Sequence, residues 1–413
     1  MQVAFVVNDL QLSGGVGVVV QHARQLATRH GMDVSLVLAR EQEDPHWQEL
    51  AQLHVLSLDD AREREFDLVV HTWWETAYAA FQLRGGRHVA FVQSLEDRFY
   101  RPDEPDRLAA AITLDLPVAF VTEATWIQEA IADLRPDATC HLVRNGIDKD
   151  VFPAVDAVPE HDGPLRILVE GYASTWFKGV NDAIAATRDM AEPHHLTVVA
   201  PDRTGLDATG ADRVLGPVPS SEMAALYGEA DVVLKLSRVE GMYGPPLEGF
   251  HRGATCVTTE VTGSEMYIEH GVNALVVDWD DLRGTARQLD LLAKDRELLL
   301  RLREGALATA RAWPSWEDAG AEMAAALQAI AGAPPPSPYA HVARLLGDLR
   351  SGTEQQRLFM VERRDLQRQV RQLERIKALP GIRHYRRAKA SRPVRLALRV
   401  ARPAKQKLLG PGS

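Results

Sequence analysis

Cysteine is nearly absent from this 413-residue chain: only Cys140 and Cys256 are present, far apart and without histidines at ligand spacing. That excludes a zinc cluster or a disulfide framework and fits a reducing compartment. Also lacking is any run near the roughly 18 consecutive apolar residues that a membrane span requires. The sequence enters a strand pattern at Gln2–Val7, so no signal peptide is expected. The expected place is the cytoplasm, or the inner face of the plasma membrane with the protein attached peripherally. No metal site is read from the sequence, since the Asp280-Asp281 pair stands where helix capping explains it.

What is abundant is charge, unevenly placed. The net charge of −10 hides a tail from Ser351 onward with 17 Lys and Arg against 4 Asp and Glu, which leaves −23 on residues 1–350. Such halves rarely share a task. Helical spacing places Phe359, Leu366, Val370 and Leu373 on one face between Gln355 and Lys377. Beyond Pro380-Gly381, Arg392, Arg395, Arg399 and Arg402 recur at helical spacing opposite Val394, Leu398 and Ala401. A basic amphipathic segment over 383–407 reads as contacting an anionic membrane surface. A solvated tail and a short dimerising coiled coil are the alternatives. Nucleic acid is not expected, because aromatic residues are scarce there and no binding motif accompanies the charge.

Within the body, short β-branched runs alternate with amphipathic helical stretches. Strands are predicted at Val3–Val7, Val34–Leu38, Leu68–Val70, Val89–Val92, Val118–Val121 and His141–Val143, with helices such as Val18–Arg29 and Thr76–Leu83 between them. A second series follows at Leu165–Val169, Leu196–Ala200, Val214-Leu215, Val232–Leu236, Thr255–Thr258 and Ala274–Val277. Strand–helix repetition implies right-handed crossovers and parallel, doubly wound sheets. The expected plan is an α/β chain with two Rossmann-like domains, 1–152 and 165–332, joined by a linker at 153–164. The last helices of the second domain are allowed to cross back to the first. A proline-rich linker at 333–338 precedes the basic helical tail, 339–413. Such sheets bind ligands beyond the carboxyl ends of their strands.

Loop chemistry there is informative. Glu240-Gly241-Met242-Tyr243-Gly244-Pro245-Pro246-Leu247-Glu248 follows a strand and opens a helix, with two carboxylates bracketing glycines and prolines. Free N–H groups at a helix start attract phosphate or hydroxyl oxygens, and carboxylates accept from paired hydroxyls such as those of sugars. Gly171-Tyr172 and Phe177-Lys178-Gly179 form a second strand-to-helix loop. Ser13-Gly14-Gly15-Val16-Gly17 forms a third, in the first half; read as a dinucleotide fingerprint it fails, because Val20 stands at the third glycine. His71, Trp73, Trp74 and Gln93 end two strands of the first half, where aromatic rings could stack on a sugar.

The nine-residue run resembles the E-x7-E signature of the retaining family-4 glycosyltransferases. The likeness is close over 165–280, including Gly216-Pro217-Val218-Pro219 before the signature and His270-Gly271-Val272-Asn273 after it. The resemblance implies a GT-B fold and transfer of a hexose or deoxyhexose from a nucleotide-diphosphate sugar, as co-substrate with no cofactor and no metal, to a glycan or lipid-linked glycan. It implies that Glu248 holds the ribose hydroxyls, and that Glu240 with the backbone of Gly241, Met242, Tyr243 and Gly244 holds the donor sugar. Gly216 and Val218 would frame the base, Gly15 would meet the donor from the other domain, and His71, Trp73, Trp74 and Gln93 would meet the acceptor. Lys178 matches a cation that neutralises the departing diphosphate; Tyr172 stands where the family has an arginine, leaving Arg203 or Lys235 to compensate. Gln93 stands near a common histidine and, with Glu96-Asp97 and Phe99-Tyr100, is similar to a rhamnosyltransferase branch of polysaccharide assembly. These two departures keep a catalytically inactive GT-B scaffold open, beside a nucleotide-sugar epimerase or oxidoreductase on similar domains.

Overall fold

The computed structural model describes residues 1–11, 13–42, 50, 52–334, 352, 359–360, 362–364 and 366–371. The body, Met1–Leu345, holds two sheets. The first contains β1 (Gln2–Val7), β2 (Asp33–Leu38), β3 (His54–Ser57), β4 (Glu65–His71), β5 (Arg84–Val92), β6 (Ala119–Thr122) and β7 (Cys140–Leu142). They lie in the order β3-β2-β1-β4-β5-β6-β7, every pair parallel. The second contains β8 (Leu165–Glu170), β9 (His194–Val199), β10 (Arg213–Leu215), β11 (Val232–Lys235), β12 (Thr255–Thr259) and β13 (Ala274–Val277). Its order is β10-β9-β8-β11-β12-β13, again all parallel.

Apolar runs made these strands because both faces of each sheet are covered. On β1, Val3, Phe5 and Val7 join one core cluster with Val19, Val20 and Leu26 of the helix Gly14–Arg29. Ala4 and Val6 join another on the opposite face, with Ala61, Val69 and Ala80. In the second sheet Leu168 and Val233 pack with Tyr227 and Phe250, while Ile167, Val169 and Leu234 pack with Ile184, Leu289 and Leu302. β3 carries no apolar run that would predict it; Val55 and Leu56 are half-buried and His54 and Ser57 exposed, at the sheet edge. The helix expected over Thr76–Leu83 is shorter, Thr76–Ala80, because the chain turns through Phe81–Leu83 into Arg84-Gly85-Gly86, the start of β5.

The helical stretch after β13 divides into Leu282–Lys294, Arg296–Ala312 and Trp316–Gly332. The last is started by a capping box, Ser315 with Asp318. Its Met323, Ala324, Leu327 and Ile330 lie in the core of the first sheet, beside Val3, Phe5 and Phe91. The chain therefore passes between the domains twice, and the passages touch: Ile147 forms a parallel bridge with Ser315, and Trp313 Nε1 donates to the Asn145 carbonyl at 2.9 Å.

The second unit, Leu346–Ser413, is helical at 359–360, 362–364 and 366–371, where Phe359, Leu366 and Val370 are exposed. The membrane segment expected over 383–407 lies outside the described residues, as do 335–338 of the proline-rich linker and Leu373. Among the described residues no helix is long and apolar enough to cross a membrane.

Candidate active site

In both sheets the strand order reverses at one point, between β1 and β4 and between β8 and β11. Crevices form there, outside the carboxyl ends of the strands. A single cavity of about 730 Å³ is lined from both. The first domain contributes Val7 at the end of β1 with Asn8 and Asp9 beyond it, Thr72 and Trp73 after β4, Gln93 and Ser94 after β5, and Glu123 after β6. The second contributes Glu170 and Gly171 from the end of β8, Lys235 from the end of β11, and the loop and helix start Glu240–Glu248.

Glu240 is buried, and its Oε2 accepts from Lys178 Nζ at 2.8 Å, while Oε1 is buried without a hydrogen-bond partner. Lys178 ends the short turn Trp176–Lys178, and Gly179 follows at φ +63°. A Cβ at Gly179 would stand 2.0 Å from the Leu236 carbonyl oxygen, so only glycine lets this loop lie against the end of β11. Eight residues beyond Glu240, Glu248 lies in the first turns of the helix Gly244–His251, with Pro245 and Pro246 in its opening turn. Burial first and Glu170 second push Glu248 up to about 7, against the Tyr227 hydroxyl and Lys235, which pull it down. Lys235 is buried and ion-paired with Glu170.

The two walls meet closely at Gly241, where a Cβ would stand 1.8 Å from the Gln93 carbonyl oxygen. Around that point Glu123 Oε1 accepts from the Met242 N–H at 2.9 Å, and Trp126 Nε1 donates to the Gly241 carbonyl at 3.0 Å. Glu123 Oε2 accepts from Asn145 Nδ2 at 2.8 Å. An aromatic row also crosses: Trp73 stacks on Phe99 with centroids 5.9 Å apart, and Phe99 on Phe177 at 5.1 Å.

Of the residues singled out in the sequence, Gly15, Trp73, Gln93, Lys178, Glu240, Gly241, Met242, Gly244 and Glu248 share the cavity wall. Gln93 Nε2 donates to the Gly15 carbonyl at 3.2 Å. Others lie elsewhere. Tyr243 is turned into the second-domain core, where its hydroxyl bonds to the Lys235 carbonyl at 3.0 Å and to Thr258 Oγ1 at 2.6 Å. Met242 reaches the cavity, but Glu123 takes its N–H, the donor expected to face a sugar. Gly216 and Val218 follow the edge strand β10 and do not line the cavity; Val218 packs against the second-domain core. His71 and Trp74 line a smaller recess of about 20 Å³ beside the cleft wall, shared with Trp73 and Glu96. There burial first, then the neighbouring His88, lowers His71 to about 3. Trp74 is fixed by its N–H to Glu96 Oε2 at 2.6 Å and by Nε1 to the Tyr100 hydroxyl at 2.9 Å. Of the two cations weighed against Tyr172, Lys235 lines the cavity and Arg203 does not.

Three cavity acids had not been singled out: Asp9, Glu123 and Glu170. Each stands at or just past the carboxyl end of a strand, the one sequence signal that could have found them. Asp278-Trp279-Asp280 is an Asp-x-Asp directly after β13. It lines a separate small recess, where Asp280 pairs with Arg238 and Asp281 Oδ1 accepts from the Gly284 N–H at 2.8 Å, the expected helix cap. Among the described residues no group of three or more His, Cys, Asp or Glu could hold a metal ion.

Known proteins resemble this chain in part of its sequence and in its fold. Residues 165–295 match the model of the family described as "Glycosyl transferases group 1". A D-inositol 3-phosphate glycosyltransferase of Corynebacterium urealyticum is 28% identical over 162 residues, 39% of this chain and 34% of that protein. The chain thus matches about a third of that relative's length. Among solved structures, sucrose-phosphate synthase from Thermosynechococcus elongatus superposes with a TM-score of 0.65 at 16% identity, covering 79% of this chain and 98% of the other. HepE from Anabaena, in complex with UDP and glucose, gives 0.65 at 15% identity over 80% and 100%. WaaG, a glycosyltransferase involved in lipopolysaccharide biosynthesis, gives 0.62 at 16% over 80% and 100%. These neighbours have the GT-B fold, and so does this chain. Within that fold, residues 165–295 are similar to the glycosyl transferases of group 1.

Proposed function

We propose that this chain is a retaining glycosyltransferase that moves a hexose or deoxyhexose from a nucleotide-diphosphate sugar to a glycan or lipid-linked glycan, without a metal ion. One observation carries the reading: Glu240, Glu248 and Lys178 face the Gly14-Gly15 helix start across one cavity, at the switch points of both sheets. Glu248 at a helix start is placed to accept from ribose hydroxyls, and the buried, unpartnered Oε1 of Glu240 to accept from a donor-sugar hydroxyl. Lys178 supplies positive charge where the diphosphate gains negative charge as it departs. In the retaining mechanism the acceptor hydroxyl attacks the anomeric carbon on the face the diphosphate leaves. The C–O bond to phosphate breaks, the new glycosidic bond forms, and the departing phosphate oxygen takes the hydroxyl proton. UDP and glucose in HepE support a nucleotide-sugar donor for a cleft of this fold.

The acceptor wall supports an uncharged sugar. Among the described residues it brings Asp9, Glu96, Glu123 and Trp73 to the cavity but no lysine or arginine. Carboxyl groups and an aromatic face suit hydroxyls and C–H surfaces, and no cation among the described residues stands on this wall to hold an acceptor phosphate. A lipid-linked glycan at an anionic membrane surface, reached through the basic tail, is consistent with the +13 charge of that tail.

Glu240→Gln and Lys178→Ala test the catalytic reading. Each variant is expected to lose at least a hundredfold in transfer rate while keeping the wild-type urea midpoint within a modest margin. Wild-type biological function in both variants would instead favour a binding scaffold.

A further inference from the structure

The cavity presents an electrostatic imbalance. Glu170, Glu240 and Glu248 line its second-domain wall, and among the described residues only Lys178 and Lys235 oppose them there. Both lysines are already engaged: Lys178 with Glu240 at 2.8 Å, and Lys235 with Glu170. A nucleoside diphosphate adds at least two negative charges to this wall, and one lysine cannot balance them. Tyr172, which follows Gly171 at the same wall, is half-exposed and uncharged.

We propose that Lys235 is the second cation that binds the donor diphosphate, with Glu170 as the residue that holds its ammonium in place until the ligand arrives. This rests on the transferase reading above and names a residue of its donor subsite. Lys235 ends β11, which pairs with β8 at the switch point, so its side chain rises from the floor of the crevice rather than from a rim loop. Its side chain is 4% exposed and that of Glu170 19%, so the pair is largely withdrawn from water. There a phosphate oxygen competes on better terms than at the surface. Burial alone pushes the ammonium down, but Glu170 first, then Glu240 and Glu248, outweigh it, and the pKa ends above the ordinary lysine value. Lys235 therefore enters as a cation. An ammonium carries three N–H donors, so Lys235 can bridge Glu170 and a phosphate oxygen or exchange one for the other. A lysine kept only to pair with Glu170 would need no place on the cavity wall.

The test is isothermal titration of full-length wild type, Glu170→Gln and the double variant Glu170→Gln/Lys235→Met. Ligands are UDP, GDP, ADP and TDP, each against its nucleoside, together with inorganic pyrophosphate. The double variant matters because removing Lys235 alone leaves the half-buried Glu170 unpaired, which can destabilise the domain, whereas removing both charges leaves no orphan. Glu170→Gln is expected to bind the diphosphate at least as tightly as wild type. The double variant is expected to lose tenfold or more for diphosphate and pyrophosphate while its nucleoside affinity stays within twofold. Equal diphosphate affinity in the double variant and Glu170→Gln overturns the assignment. So does an equal loss for nucleoside and diphosphate, since that reports a general disturbance of the wall. If wild type binds no diphosphate, the transferase reading fails and takes this inference with it. If wild type binds one, Glu248→Ala loses it and the double variant does not, the reading stands and Lys235 is excluded.

Discussion

Glu123 shows how much one side chain can govern here. It leaves the end of β6 fully buried and accepts from the Met242 N–H of the facing domain and from Asn145 Nδ2. Burial pushes it up to about 7, although those two hydrogen bonds pull it down; the charge of Glu240 adds to the rise. A carboxyl raised on folding binds a proton that the unfolded chain has already lost. Its contribution is therefore most favourable below the unfolded value and declines as pH climbs from about 4.5 to about 7, by about 3 kcal/mol before levelling. Glu123→Gln removes that slope. Urea unfolding should show the variant gaining on wild type between pH 5 and pH 8; parallel stability curves would mean that Glu123 does not titrate in this window. At this scale the sequence was legible where a motif existed. The Glu240–Glu248 run, Lys178 and Gly15 were named because spacing and glycines set them apart, whereas Asp9, Glu123 and Glu170 are single acids with no pattern around them. Tyr243 and His71 do not line the cavity, for a geometric reason. Successive residues of a strand end or turn point in different directions, so Met242 and Gly244 reach the cavity while Tyr243 between them is buried.

Elements were the more legible level, because a parallel sheet covered on both faces writes its strands as apolar runs. Strand positions in the sequence and in the structure differ by one or two residues at most ends, with the widest gap at β5, whose exposed start, Arg84-Gly85-Gly86, carries no apolar signal. β3 lacks that signal because it sits at an edge, with two of its four residues exposed and two half-buried. The final helix, Trp316–Gly332, is a different case. The sequence allows the last helices to cross back without saying which of them does; this one covers the first sheet although it follows the second in the chain. Leu327 is fully buried in that interface. Leu327→Ala should cost about 2–5 kcal/mol by urea unfolding, through lost burial and the cavity left behind. An unchanged midpoint would show that this helix contributes little to the first domain.

For the whole molecule, two open sheets in series fixed where a ligand belongs before any residue was assigned a role. What the sequence did not disclose is how tightly the two walls touch. Gly241 abuts Gln93, Glu123 holds Met242, and Arg98 Nη1 donates to Thr262 Oγ1 at 3.2 Å, all between segments more than a hundred residues apart. Such joints depend on side chains brought together only by folding. Clefts of this kind commonly close over their ligand, and these contacts are the ones closure would adjust.

The central claim is that this cleft holds a nucleoside diphosphate against Glu248, and the thermal midpoint of the full-length protein tests it directly. The midpoint is measured against UDP, GDP, TDP, ADP and CMP, with and without magnesium, and against NAD. A ligand at a hundred times its dissociation constant adds about 2.7 kcal/mol to the folded state, enough to move the transition visibly. One diphosphate is predicted to raise the midpoint equally with and without magnesium, and to lose that effect in Glu248→Ala. No shift with any nucleotide, or a shift with NAD alone, would contradict the account.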